Sequence, residues 1–82
     1  MFYVYILKSL NTGQYYIGSC SNIEKRLAQH NNGKAKSTKA FMPWKLMSYE
    51  EFKTRKEAII RERQLKSWKS RAAIEKLFVK HF

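Results

Sequence analysis

The stretch from Tyr3 to His30 leaves this chain few folds to choose among. Residues 2 to 8 are apolar and β-branched or aromatic, the composition of a strand. Asn11-Thr12-Gly13 is a turn signal, and Gln14 to Gly18 reads as the returning strand of a hairpin. A Ser-x-x-Glu capping box, Ser21 to Glu24, follows at once and starts a helix at Ser21. Ile23 and Leu27 give that helix its core stripe, while Arg26 and His30 share the neighbouring one. Asn31-Asn32-Gly33 ends it, because Gly or Asn accepts the left-handed cap conformation.

Hairpin register decides whether Tyr5 and Tyr16 can act together. A two-residue turn at Thr12-Gly13 pairs residues whose numbers sum to 25. Side chains alternate along each strand, so Tyr5 and Tyr16 would then share a face. A three-residue turn centred on Thr12 points them apart. Both registers stay open at the level of sequence, and a shared site requires the first of them or a bulge.

Beyond the first helix, residues 34 to 43 form a basic loop carrying Lys34, Lys36 and Lys39 and closed by Pro43. Such a loop serves as a solvated connector or tracks a phosphate backbone. Trp44 to Phe52 reads as a third strand. Thr54 to Glu57 is a second capping box, opening a helix that carries Ala58, Ile59, Glu62, Leu65 and Trp68. Ser70 caps a short third helix, with Ala73, Ile74, Leu77 and Phe78 at helical spacing. With no repeat, low-complexity tract or boundary, the chain reads as one α+β domain, 1–82, in the order β-β-α-β-α-α.

Eighty-two residues lie near the lower limit at which one core holds a fold without staples. Cys20 is the only cysteine, so no intrachain disulfide is available, and a lone thiol fits a reducing cytoplasm. No cleavable leader is expected, and no stretch approaches the ~20 apolar residues of a membrane span. The expectation is a soluble, cytoplasmic protein away from membranes. Its net charge of +11 points to a polyanionic partner, with nucleic acid first.

Every acidic residue is a glutamate. Glu24 and Glu57 belong to the capping boxes, Glu50 and Glu51 lie near the exposed end of a strand, and Glu75 falls between apolar positions of the last helix. Glu62 remains, mid-helix between Arg61 and Arg63. A single carboxylate suits Mg²⁺, which keeps much of its water shell and borrows substrate phosphate oxygens. Plainer readings compete at each position. Glu62 can pair with Lys66 at i, i+4, and His30 can sit against the helix dipole. Arg26 can be a surface arginine, and Tyr5 and Tyr16 sheet aromatics.

Taken in order, Tyr-x10-Tyr-Ile-Gly, a helix with Arg-x3-His, Pro-Trp, and a helix with a central Glu resemble the GIY-YIG nuclease family over about Phe2 to Trp68. The likeness is greatest to its short standalone members and to the branch that cuts branched DNA. The resemblance implies a small three-stranded antiparallel sheet flanked by helices, and phosphodiester hydrolysis in DNA with one Mg²⁺ or Mn²⁺. By position, Tyr5 and Tyr16 match the motif tyrosines, Arg26 the family arginine, His30 its histidine-or-tyrosine position and Glu62 its metal ligand. Gly18 is the motif glycine. Two departures stand out: the first motif reads Tyr3-Val4-Tyr5, and the last asparagine is Asn32, so the C-terminal asparagine of several members has no counterpart.

The expected mechanism makes Tyr5 a general base whose pKa is depressed by Arg26, the metal and nearby lysines. Arg26 stabilises phosphate charge, His30 relays protons and Tyr16 positions water or phosphate. Lys34, Lys36, Lys39, Arg61, Lys66 and Lys69 are expected to bind the backbone, and a protein partner or homodimer to add specificity. The alternatives are a non-catalytic nucleic-acid-binding module and an accessory protein on the same scaffold.

Overall fold

A computed structural model describes residues 1–81, with side chains described as far as Phe78; Phe82, the last residue of the expected domain, lies outside the described residues. Three strands, β1 (Phe2–Ser9), β2 (Tyr15–Cys20) and β3 (Trp44–Phe52), form one antiparallel sheet in the order β2-β1-β3. The helices are α1 (Ile23–Asn31), α2 (Arg55–Ser67) and α3 (Arg71–Glu75), the last running into a 3₁₀ segment, Lys76–His81. The expected β-β-α-β-α-α order and the flanked three-stranded sheet are both present.

Central β1 explains the two layers. Val4, Tyr5, Ile6 and Leu7 are all buried, as befits a strand covered on both faces. Val4 and Ile6 pack with Ala58 and Leu65 of α2 and with Ile74, Leu77 and Phe78. Tyr5 and Leu7 face the other way, joining Cys20 and Trp44 beneath Ile23 and Leu27 of α1. The catalytic candidates on β1 and β2 therefore lie under α1, whereas Glu62 comes from the helix on the opposite layer.

The hairpin resolves the open register. Tyr5 pairs with Gly18 and Leu7 with Tyr16, so partner numbers sum to 23 and not 25. Parity is kept, and Tyr5 and Tyr16 share a face. The reason is a four-residue loop, Leu10–Gly13, in place of a two-residue turn: the Gly13 amide donates to Ser9 O (2.8 Å) and the Ser9 amide to Gln14 O (2.8 Å). Buried Ser9 organises it. Its Oγ accepts from the Asn11 and Thr12 amides and donates to Phe41 O at 2.6 Å. Gly13, at φ +79°, supplies the left-handed residue that returns the chain to β2.

The start of α1 and the end of β2 differ from expectation. Asn22, not Ser21, caps α1: its Oδ1 accepts from the Lys25 amide at 3.0 Å. Two competent capping residues stand side by side, and the chain uses the second. The return strand likewise extends to Cys20, two residues beyond Gly18. Thr54 and Ser70 cap α2 and α3 as read, accepting from the Glu57 and Ala73 amides.

Candidate active site

Gly18 is the pivot of the site. It lies on edge strand β2 directly across from Tyr5, and a Cβ built on it would come within 2.5 Å of the Tyr5 hydroxyl and 2.7 Å of its Cζ. Only the absence of a side chain lets the phenol lie against the strand backbone. Tyr16, also on this face, is a further wall: its Cε1 would be 3.2 Å from that Cβ, and its ring centroid is 6.3 Å from that of Tyr5.

His30 closes the cluster from the last turn of α1. It is buried, with its ring 5.0 Å from Tyr16 edge-on and 6.1 Å from Tyr5. Its Nε2 lies 3.2 Å from Tyr5 Oη, and its Nδ1 lies 2.8 Å from Thr38 Oγ1. Burial, assisted by the charge of Arg26, holds the imidazole below its ordinary pKa, so it is neutral at physiological pH. Trp44 backs the histidine with ring centroids 6.4 Å apart and donates its indole N–H to Thr38 O at 3.0 Å. Asn31 fastens α1 to β3 by accepting from the Trp44 amide (2.6 Å) and donating to its carbonyl (3.0 Å).

Tyr5 titrates against the expected direction. Desolvation raises its pKa most, Tyr16, Cys20 and Glu62 raise it further, and Arg26 alone pulls it down. In the metal-free protein the phenol is firmly protonated. Cys20 is buried and its thiol is pushed up by desolvation, despite an Asn22 hydrogen bond and Arg26. This is a packed, unreactive thiol.

Arg26 is exposed on α1, one turn before His30, and its guanidinium bears on Tyr5, Cys20 and His30. With Cys20, Ser21, Asn22, Lys25 and Gln29 it lines a hollow of ≈ 150 Å³ between the end of β2 and α1. Glu62 approaches the same edge strand from the other layer. Partial burial opposes its ionisation, but hydrogen bonds from Lys66 and Ser19, with the charges of Lys66 and Arg63, outweigh that and lower its pKa. Ser19 follows Gly18, so the Glu62 carboxylate and the Tyr5 phenol meet the strand at consecutive residues. The Glu62 charge is among those that raise the Tyr5 pKa.

The residues expected to bind backbone divide. Lys34, Lys36 and Lys39 are exposed along the loop. Lys66 and Lys69 line a groove of ≈ 340 Å³ with Tyr15, Tyr16 and Arg71 on the flank of β2 facing α3. Lys66 also reaches Glu62 Oε2 at 2.6 Å, the plainer pairing the spacing allows. Arg61 instead turns to Glu50, at 2.9 and 3.2 Å, and lies over the Trp68 ring. Glu50 is thus engaged in an ion pair and is not a spare acid at a strand end. Sequence reasoning missed Ser19 and Thr38. Ser19 carries a positional hint, standing next to the motif glycine; Thr38, in a lysine-rich loop, carries none.

Among the described residues no group of three or more His, Cys or Glu side chains forms a ready-made metal cage, and no helix is long and apolar enough to cross a membrane. One ionised, partly shielded carboxylate still fits a hard, highly hydrated cation that completes its shell with water and substrate oxygens.

Comparison with known proteins matches the GIY-YIG catalytic domain to residues 1–76. A UPF0213 protein of Staphylococcus saprophyticus is 43% identical over 67 residues, covering 80% of each chain. One from Clostridium perfringens is 45% identical over 67 residues, 80% of this chain and 71% of that one. The solution structure of the UPF0213 protein BH0048 from Bacillus halodurans has a TM-score of 0.56 at 34% identity, covering 94% of this chain and 82% of that chain.

Proposed function

This chain belongs to the GIY-YIG family, and on that premise we propose that it is a divalent-metal-dependent endonuclease that hydrolyses phosphodiester bonds in DNA, with branched or damaged DNA of repair or recombination as its substrate. The observation that carries the reading is the convergence at Gly18 and Ser19: a phenol with an imidazole on its oxygen, a guanidinium nearby and a carboxylate from the opposite layer. Any of these alone is ordinary. Together they supply a base, a proton acceptor, a cation for phosphate and a ligand for a metal.

Glu62 is the residue that would hold Mg²⁺ or Mn²⁺, which when bound supplies Lewis-acid stabilisation of the phosphate and the leaving oxygen. Tyr5 first passes its proton to His30 Nε2; the resulting phenolate takes a proton from water as the water oxygen bonds to phosphorus. The P–O bond to the leaving sugar oxygen breaks, and that oxygen is protonated from solvent. His30 releases the proton it took from Tyr5 to solvent, restoring the neutral imidazole. Arg26 favours the phenolate and stabilises charge on the phosphate. Its field is the one charge that opposes the desolvation of Tyr5 without outweighing it. Tyr16 holds the His30 ring edge-on and flanks the phosphate position. The loop lysines and the Lys66–Lys69 groove hold the strand on either side.

Nicking of supercoiled and branched DNA in Mg²⁺ or Mn²⁺ tests this directly. Cleavage should disappear in Glu62→Ala and Tyr5→Phe while binding persists. DNA binding by the wild type without any metal-dependent cleavage would instead identify a binding module on a nuclease scaffold.

A further inference from the structure

Thr38 takes no part in the motifs, yet it is 1% exposed and held from several sides. Its amide donates to Ala35 O (3.2 Å), and its carbonyl accepts from the Phe41 amide (3.1 Å) and from the Trp44 indole (3.0 Å). Its hydroxyl stands 2.8 Å from His30 Nδ1 and 3.3 Å from Ala35 O. A hydroxyl has one proton. Donated to the Ala35 carbonyl, which can only accept, it leaves the Oγ1 lone pairs facing Nδ1. His30 must then carry its hydrogen on Nδ1 and present a bare Nε2 to the Tyr5 hydroxyl at 3.2 Å.

We propose that Thr38 is a positioning residue that fixes His30 as the Nδ1–H tautomer, so that Nε2 is free to accept the Tyr5 proton. The chain of donors runs Tyr5 O–H to His30 Nε2, His30 Nδ1–H to Thr38 Oγ1, and Thr38 Oγ1–H to Ala35 O. Every polar atom in it is satisfied, and no buried side-chain atom among the described residues lacks a partner. In the opposite tautomer, Nε2–H would point at Tyr5 and leave its proton no acceptor on the imidazole. The inference rests on Tyr5 acting as the base for its catalytic meaning, but the tautomer itself does not.

Nitrogen-15 NMR of the histidine rings at neutral pH decides it. Wild-type His30 should show a protonated Nδ1 and a bare Nε2. Thr38→Val, close in shape but without the acceptor, should move the population towards Nε2–H, and Thr38→Ser should restore the wild-type pattern. Cleavage kcat should fall on the order of 10²-fold in Thr38→Val with KM little changed, and recover in Thr38→Ser. A bare Nδ1 in wild-type His30, or a Thr38→Val ring with its tautomer unmoved, overturns the proposal. Should Thr38→Val not fold, the wild-type spectrum and Thr38→Ser still decide. Absence of wild-type cleavage beside the expected tautomer would sink the nuclease reading while leaving the role of Thr38 in fixing the tautomer intact.

Discussion

The Tyr5 hydroxyl lies 2.5 Å from where the first side-chain atom of any residue other than glycine at position 18 would stand. The conflict is steric and not conformational, since Gly18 is absent from the positive-φ residues. Gly18→Ala should therefore push the phenol off His30 Nε2, abolish cleavage and cost about 1–3 kcal/mol of stability as overpacking. Chemical denaturation gives the stability change. An alanine variant with full activity and unchanged unfolding midpoint would mean that the phenol does not rest on the strand.

Tyr5→Phe keeps the ring that fills the space beside Tyr16 and removes only the oxygen. Cleavage should fall at least 10²- to 10⁴-fold, the range for loss of a general base. Stability should drop by about 1 kcal/mol or somewhat more, because His30 Nε2 is left buried without its partner. DNA affinity measured by anisotropy should be unchanged. Retained cleavage would remove Tyr5 from the mechanism and leave it a sheet aromatic.

Local signals carried most of the fold. The aromatic run of β1, the Asn11–Gly13 turn and the caps at Thr54 and Ser70 each act over a few residues, so they can be read in sequence. Register was harder, because it depends on Ser9 gathering the Asn11 and Thr12 amides while reaching across to Phe41. The same limit applied in the site. Glu62 emerged by elimination, yet its partnership with Ser19 joins opposite layers of the sheet, and nothing in α2 announces it. Arg61 resembled its basic neighbours until Glu50, eleven residues earlier on β3, claimed it. Thr38 is invisible locally because its hydroxyl matters only once α1 has brought His30 above it.

His30 makes stability depend on pH in a definite direction. Its folded pKa is lowered from 6.5, chiefly by burial and then by Arg26, so the unfolded chain binds a proton more readily. Stability is thus fully present above pH 6.5 and is lost as pH falls through the folded value. The urea midpoint should decline between pH 7.5 and 5.5, above the range in which glutamates titrate. His30→Gln should flatten that decline. A wild-type midpoint that rises on acidification would require an imidazole charged in the fold.

If Glu62 holds the metal as proposed, Lys66 and the metal ion would compete for the same oxygen. The lysine Nζ lies 2.6 Å from Glu62 Oε2, and its side chain is 52% exposed, so the pair is of the weak surface kind. Such pairs contribute about 0.2–1 kcal/mol, which converts to no more than about a fivefold handicap on cation binding. Lys66→Met should accordingly tighten Mn²⁺ binding about two- to fivefold by electron paramagnetic resonance titration without DNA. Glu62→Gln should abolish the site while keeping the fold, because the amide retains the shape but not the charge. With DNA present Lys66→Met should bind more weakly, since the released lysine lines the groove beside Tyr16 and Lys69. Mn²⁺ affinity unchanged in both variants would place the cation elsewhere and return Glu62 and Lys66 to the status of a helix-surface pair.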